Sequence, residues 1–183
     1  MEIKYFGDGK LFIKGKKESL WLNPESGDLG KKETESRILI FTDKERNFVK
    51  TGEEENRVVV CGPGEYEIGG IEISGINSMY SINVDGVKVV TVGRVEGELS
   101  EKKKEKLEEA DVLLVALGKD AVDIAKKSAA NYIVPMNYKG EEKSLEEFLD
   151  AFDREKLEAV ESLKVEKDSL PEGMEVVLLK MRT

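Results

Sequence analysis

The chain has no histidine and only one cysteine, Cys61. Without an imidazole, Ser-His-Asp and Cys-His mechanisms are ruled out, and so is the side chain that most often acts as general base near neutral pH. A zinc site would have to be assembled from one thiol and carboxylates. A lone cysteine forms no internal disulfide, and one that comes after the apolar "RVVV" reads as a buried strand-end residue. Long apolar runs are missing as well. None approaches the roughly 20 residues needed to cross a bilayer, and the start "MEIKYF" lacks a basic region followed by a hydrophobic core. The expectation is a cytoplasmic protein without a membrane partner. Basic charge is also scarce: 29 Lys and Arg stand against 38 Asp and Glu, a net charge of −9 with no cationic stripe to offset it. A nucleic acid partner is therefore disfavoured. The longest basic run, "KKK" at 102–104, sits among Glu101, Glu105, Glu108 and Glu109 and reads as a solvated helix face.

What the chain does contain suits a folded domain. Its 183 residues fit one unit, taken as 1–183, and apolar residues recur along nearly the whole length despite 37% charged residues. The Lys- and Glu-rich shell resembles the composition of heat-stable proteins. Up to residue 92 the pattern is strand and turn: "EIKYF", "LFIKG", "SLWL", "RILIF", "RVVV", "EIGGIEIS", "MYSINV" and "VKVVTV". Asp85-Gly86 joins the last two as a type I′ hairpin, a turn that needs positive φ at both central residues.

From Ser100 helices alternate with strands. Helices are predicted over 100–110 and 119–130, the second with Ala121, Ile124, Ala125 and Ala129 on one face. Strands are predicted over 111–117 and 132–136. A further helix opens on a capping box at Ser144-Leu145-Glu146-Glu147 and buries Leu145, Phe148, Leu149 and Phe152. Two strands near 162–166 and 175–181 close an antiparallel-rich first half joined to an α/β second half.

The segment "RILIFTDKERNF" at 37–48 carries the functional question. Ile38 to Phe41 reads as a strand buried on both faces, and such strands empty into the site at their carboxyl ends. Beyond Thr42 stand Asp43, Lys44, Glu45, Arg46 and Asn47, which as residues are either polar loop or a working site.

Taken in order, several segments resemble the metallo-β-lactamase fold, in particular its small lactonase-like Zn-dependent hydrolases. "MEIKYFGDGKLFIKG" with "LWLNP" resembles that branch's strand, Gly-His, second strand and Asp-Pro. "ILIFTDKERNF" stands where the family has a strand followed by Thr/Ser-His-x-His-x-Asp-His. "VVVCGPGEYEIGGIEISGI" is similar to its Gly-Pro-Gly-Glu-Tyr-Glu segment. "INVDGVKVVTVGR" matches the hairpin that ends in Gly-Asp, and "DVLLVAL" with "IVPMNYKG" matches paired strands ending in Pro-Met-His-Tyr. The likeness runs from residue 1 to about 180 and implies an α/β fold, the αββα sandwich.

The family's chemistry, as the resemblance implies it, uses two divalent ions held by His and Asp. Here each of those positions differs. Asp43, Glu45, Asn47 and Phe48 replace the main motif, Gly7-Asp8 replaces Gly-His, Arg94 replaces the bridging Asp, and Asn137 replaces the last His. "SGINSMYSI" runs directly to the hairpin, leaving no room for the remaining ligand.

The resemblance therefore implies a catalytically degenerate member with no metal or other cofactor, acting as a binding or scaffolding protein whose partner, a protein or a small anionic ligand, the sequence does not name. A second reading is a small anionic ligand held in the old cleft by Arg94, Asn47 and Asn137. A third is a hydrolase using Mg²⁺ or Mn²⁺ on Asp8, Asp43 and Glu45, opposed by the fixed positive charge of Arg94.

Overall fold

The computed structural model describes residues 1–29, 31–42, 56–93, 98–137, 142–154 and 156–182. Two mixed sheets face each other. The first is built from β1 (Glu2–Tyr5), β2 (Leu11–Lys14), β3 (Ser19–Leu22), β4 (Ile38–Phe41) and β5 (Val58–Cys61). The second is built from β6 (Gly64–Ile68), β7 (Ile71–Ile76), β8 (Met79–Val84), β9 (Val87–Val92), β10 (Val112–Ala116) and β11 (Tyr132–Met136). Later in the chain β12 (Leu163–Lys164) pairs with β1, and β13 (Glu175–Val176) pairs with β11. The strand orders are β12-β1-β2-β3-β4-β5 and β13-β11-β10-β9-β8-β7-β6.

Alternation decides which side chains meet between the sheets. In β1 Ile3 and Tyr5 are buried, and in β7 Ile71 and Ile73 are. They join Leu11, Ile13, Leu20, Ile38, Ile40, Ile82, Val89 and Leu114 in one apolar layer contributed by both sheets. β4 is buried at all four positions, as its sequence predicts. Ile38 and Ile40 face the second sheet, while Leu39 and Phe41 join Phe12 and Trp21 on the outer face of the first. That outer cluster is shielded by a turn of 3-10 helix at Lys32–Thr34, held when the Trp21 indole N–H donates to Thr34 O at 2.9 Å.

On the outer face of the second sheet lie α1 (Glu101–Glu108), α2 (Ala121–Lys127) and α3 (Glu142–Asp150), which bury Leu107, Ile124, Ala125, Phe148 and Leu149 against Val90, Val92, Leu113 and Ile133. The arrangement is a metallo-β-lactamase-like αββα sandwich with few helices. No described helix is long and apolar enough to cross a membrane.

Several boundaries differ from the sequence reading. "EIGGIEIS" is not one strand: Gly69 and Gly70, with φ of 62° and 88°, fold it into a hairpin that pairs Ile68 with Ile71. The predicted Asp85-Gly86 hairpin is present, with φ of 54° and 82°. α2 stops at Lys127 because Ser128 turns extended and its hydroxyl caps Ala125 O at 2.8 Å, which leaves Ala129 exposed beyond the helix. α3 already includes Glu142, so Ser144 lies inside the first turn and is not its cap. The two last strands shrink to β12 and β13 plus single bridges, Val160 to Leu179 and Tyr5 to Met181. The first half is less antiparallel than expected, since β3, β4 and β5 run parallel. Cys61 does end its strand, but it is half-buried.

Candidate functional site

The parallel strands aim their carboxyl ends at one place. A cleft of about 440 Å³ opens there, lined by Asn23 after β3, Thr42 after β4, Thr91 and Gly93 at the end of β9, Ala116 ending β10, and Met136 with Asn137 at the end of β11. The β1–β2 turn adds Asp8 and Gly9, and the β7–β8 turn adds Ser78.

The chain reaches this geometry through left-handed backbone. Gly7, Asp8 and Gly9 all have positive φ, and so do Asn23 at 49°, Ser78 at 64° and Asn137 at 60°. Asn and Asp tolerate this region because their short polar side chains bond locally. Asn23, 8% exposed, fastens the rim. Its backbone N–H donates to Ile40 O at 2.8 Å, and its Nδ2 donates to Gly9 O at 3.2 Å. Its Oδ1 accepts from the Thr42 N–H at 2.9 Å and from the Thr42 hydroxyl at 3.1 Å.

Opposite, the Asn137 N–H donates to the Tyr5 hydroxyl at 2.9 Å. The Asn137 side chain stands beside Gly9: a methyl group built there would lie 3.6 Å from Asn137 Oδ1 and 3.7 Å from Asn23 Nδ2. Asn137 Oδ1 is buried and has no hydrogen-bond partner.

Tyr80 on β8 is 1% exposed and bonds across to the first sheet. Its hydroxyl accepts from the Gly62 N–H at 2.7 Å and lies 3.1 Å from Phe41 O, so it ties the second sheet to the last residue of β4. Burial pushes the Tyr80 phenol above its ordinary pKa, opposed by the Gly62 backbone, and keeps it a neutral donor.

Of the residues singled out from the sequence, Asp8 and Asn137 are brought to this cleft, Asp8 exposed and Asn137 half-buried. Asp43, Glu45, Asn47 and Arg94 lie outside the described residues; Thr42 and Gly93, which precede Asp43 and Arg94, line the cleft. The sequence does not single out Asn23, Tyr5 or Tyr80. For Asn23 a signal existed, because an Asn between an apolar strand and Pro24 is a turn residue at a strand's carboxyl end. Tyr80 gives none, since its place in "MYSINV" reads as ordinary core.

Among the described residues, the donor set of the cleft does not suit a zinc centre. The chain has no imidazole, and the described polar groups of the cleft are amides and hydroxyls with the single carboxylate of Asp8. Among the described residues no three Cys, Asp or Glu side chains are grouped to hold an ion.

A family model described as "Beta-lactamase superfamily domain" matches residues 2–137. Among solved structures, a protein from Thermotoga maritima assigned to the Zn-dependent hydrolases of the metallo-β-lactamase superfamily is similar, with a TM-score of 0.79 at 24% identity over 98% of each chain. Igni18, a metallo hydrolase from the hyperthermophilic archaeon Ignicoccus hospitalis, gives a TM-score of 0.60 at 13% identity over 90% of this chain and 99% of its own. An isothiocyanate hydrolase from Delia radicum gut bacteria gives 0.58 at 9% identity, with the same coverage. At these identities the likeness is one of fold. No curated protein matches the chain.

Proposed function

The chain belongs to the β-lactamase superfamily, and from that premise we propose that it is a member without metal hydrolysis whose cleft binds a polar ligand or partner segment. The observation that carries this reading is the donor set. A fold whose hydrolytic relatives work through metal-bound water here meets a chain with no histidine and a cleft whose described polar side chains are Asn23, Thr42, Ser78, Thr91 and Asn137 with the carboxylate of Asp8. Amides and hydroxyls exchange hydrogen bonds with a ligand but generate no hydroxide. Asn137 Oδ1, an acceptor with no donor, favours a ligand that brings an N–H or O–H group into the cleft. Arg94 and Asn47 would add donors for an anionic group on the same ligand.

The carboxylate-site alternative needs Asp8, Asp43 and Glu45 to share Mg²⁺ or Mn²⁺, an ion that the fixed positive charge of Arg94 would oppose in a common site. Without metal, a carboxylate near its ordinary pKa is a weak base, and base plus oxyanion terms of about 10²–10⁴ and 10²–10³ leave a poor catalyst.

Two measurements test the reading together. Elemental analysis of protein purified without added metal should find no stoichiometric Zn, Fe or Mn. Activated ester, lactone and phosphodiester substrates should turn over no faster with Zn²⁺, Mg²⁺ or Mn²⁺ than without. Metal-stimulated turnover that disappears in an Asp43→Ala, Glu45→Ala double variant would overturn it.

A further inference from the structure

A second cleft, of about 370 Å³, shares no lining residue with the first. It lies between the 3-10 turn at Lys32–Thr34 and the segment 180–182, which runs beside β1 through the Tyr5 to Met181 bridge. Phe6 and Met181 give it an apolar wall, and Lys31, Lys180 and Arg182 outnumber the acids Glu33 and Glu161. In a chain of net charge −9, this is a local excess of positive charge.

Two buried polar atoms of this cleft have no hydrogen-bond partner among the described residues. Thr34 is 5% exposed and its Oγ1 makes no hydrogen bond; Arg182 Nε is likewise buried without an acceptor. Such groups are uncommon in folded proteins, because each leaves a desolvation cost uncompensated. Nε–H can only donate, and together with Nη2 it forms the side-on face of the guanidinium that fits an oxyanion bidentately. Glu161 Oε2 lies 3.8 Å from Nη2, beyond hydrogen-bond reach, while Glu161 Oε1 is held by Lys180 Nζ at 2.8 Å. The two missing bonds therefore call for one kind of group, an acceptor-rich anion between Thr34 and Arg182.

We propose that this cleft is a binding site for a small molecule bearing a carboxylate or phosphate group, with the oxyanion on Arg182 Nε/Nη2 and the Thr34 hydroxyl and the apolar body against Phe6 and Met181. Both unpartnered atoms are closed to solvent, so a side-chain shift must admit the ligand, and Glu161 and Lys180, 59% and 63% exposed, are the lining side chains freest to make it. Glu161 is then a competitor for the guanidinium, and removing its charge strengthens binding.

The test is a titration of the ¹⁵N-labelled full chain with sodium phosphate, sodium acetate and sodium chloride at matched ionic strength. Saturable shifts at the Thr34 and Arg182 amides with phosphate or acetate, absent with chloride, are expected; which of the two binds tells a phosphate-bearing ligand from a carboxylate. Thr34→Val and Arg182→Lys should each weaken binding by roughly tenfold, and Glu161→Gln should tighten it by about threefold or more. Arg182→Lys keeps the charge, so its loss reads the fork geometry and not net charge, and Glu161→Gln serves if either weakening variant folds poorly. Equal shifts with chloride, no saturation with either oxyanion, or unchanged affinity in Glu161→Gln and the weakening variants would overturn the proposal.

Discussion

Asn23 lines the main cleft and bonds its rim, while Tyr80, outside the lining, ties β8 to the end of β4. Asn23→Ala would strand the Gly9 carbonyl and the Thr42 N–H, and it would place a methyl side chain at a φ of 49°. Each of the two unpaired groups costs about 1–3 kcal/mol and the left-handed backbone about 1–2 more, so a loss of roughly 3–8 kcal/mol is expected in chemical denaturation. Tyr80→Phe should cost about 1–3 kcal/mol by unpairing Gly62 N–H and Phe41 O, with faster hydrogen exchange at the Gly62 amide as the local readout. Asp8 and Asn137 were legible in the sequence because each stands at a strand's carboxyl end beside a motif with a known shape. Asn23 left only a turn signal before Pro24, and Tyr80 left none, because their roles consist of bonds across the chain: Tyr80 reaches Phe41, 39 residues away, and alternation within one strand carries no record of that pairing.

Strands were the most legible elements, since period-two burial leaves a direct trace in residues such as Ile3 and Tyr5 or Ile71 and Ile73. Their boundaries failed where backbone chemistry outweighed hydrophobicity, as at Gly69-Gly70 and at Ser128. The Asp85-Gly86 hairpin was legible because both types are suited to positive φ, and the structure gives Asp85 a second task. Its carboxylate accepts from the Lys16 N–H at 2.9 Å, so the turn of the second sheet holds the β2–β3 turn of the first. Gly86→Ala should cost about 1–2 kcal/mol through φ strain alone. Asp85→Asn should cost less, since its amide oxygen can still accept from Lys16 while the attraction to the Met1 amino group, 3.7 Å away, is lost. Thermal melts of the two variants side by side check that order.

Across the whole molecule, acid should be the sensitive direction. Burial, the largest influence on Glu2, pushes its pKa up, but the Ser162 hydroxyl at 2.7 Å and Lys4 more than offset this and hold it below the ordinary 4.5. Glu109, bonded by Lys88, and Glu161, bonded by Lys180, are held low as well. A carboxylate depressed in the folded state contributes stability that is complete above its unfolded pKa and is lost as pH falls through the folded value. Stability should therefore hold near neutrality and decline below about pH 4.5, and Glu2→Gln should flatten part of that decline in urea titrations at pH 7 and pH 3.5. An identical acid limb in Glu2→Gln would show that Ser162 and Lys4 give the ionised carboxylate no net advantage.

The pairing of β1 with β12 also has a consequence in time. β1 finds β2 within a dozen residues, but its other neighbour is made only when residues 163 and 164 are, and the Met1 amino group meets Val165 O across a separation of 164 positions. At ribosomal rates of about 5–20 residues per second, β1 waits roughly 8–30 s as an uncovered edge. An uncovered edge is a template for pairing with the wrong chain, and strands exposed in this way are commonly guarded by charge. Glu2 and Lys4 occupy the two less buried positions of β1, so Glu2, which later accepts from Ser162, and Lys4, paired with Glu2, put charge on that edge while the nascent chain is incomplete.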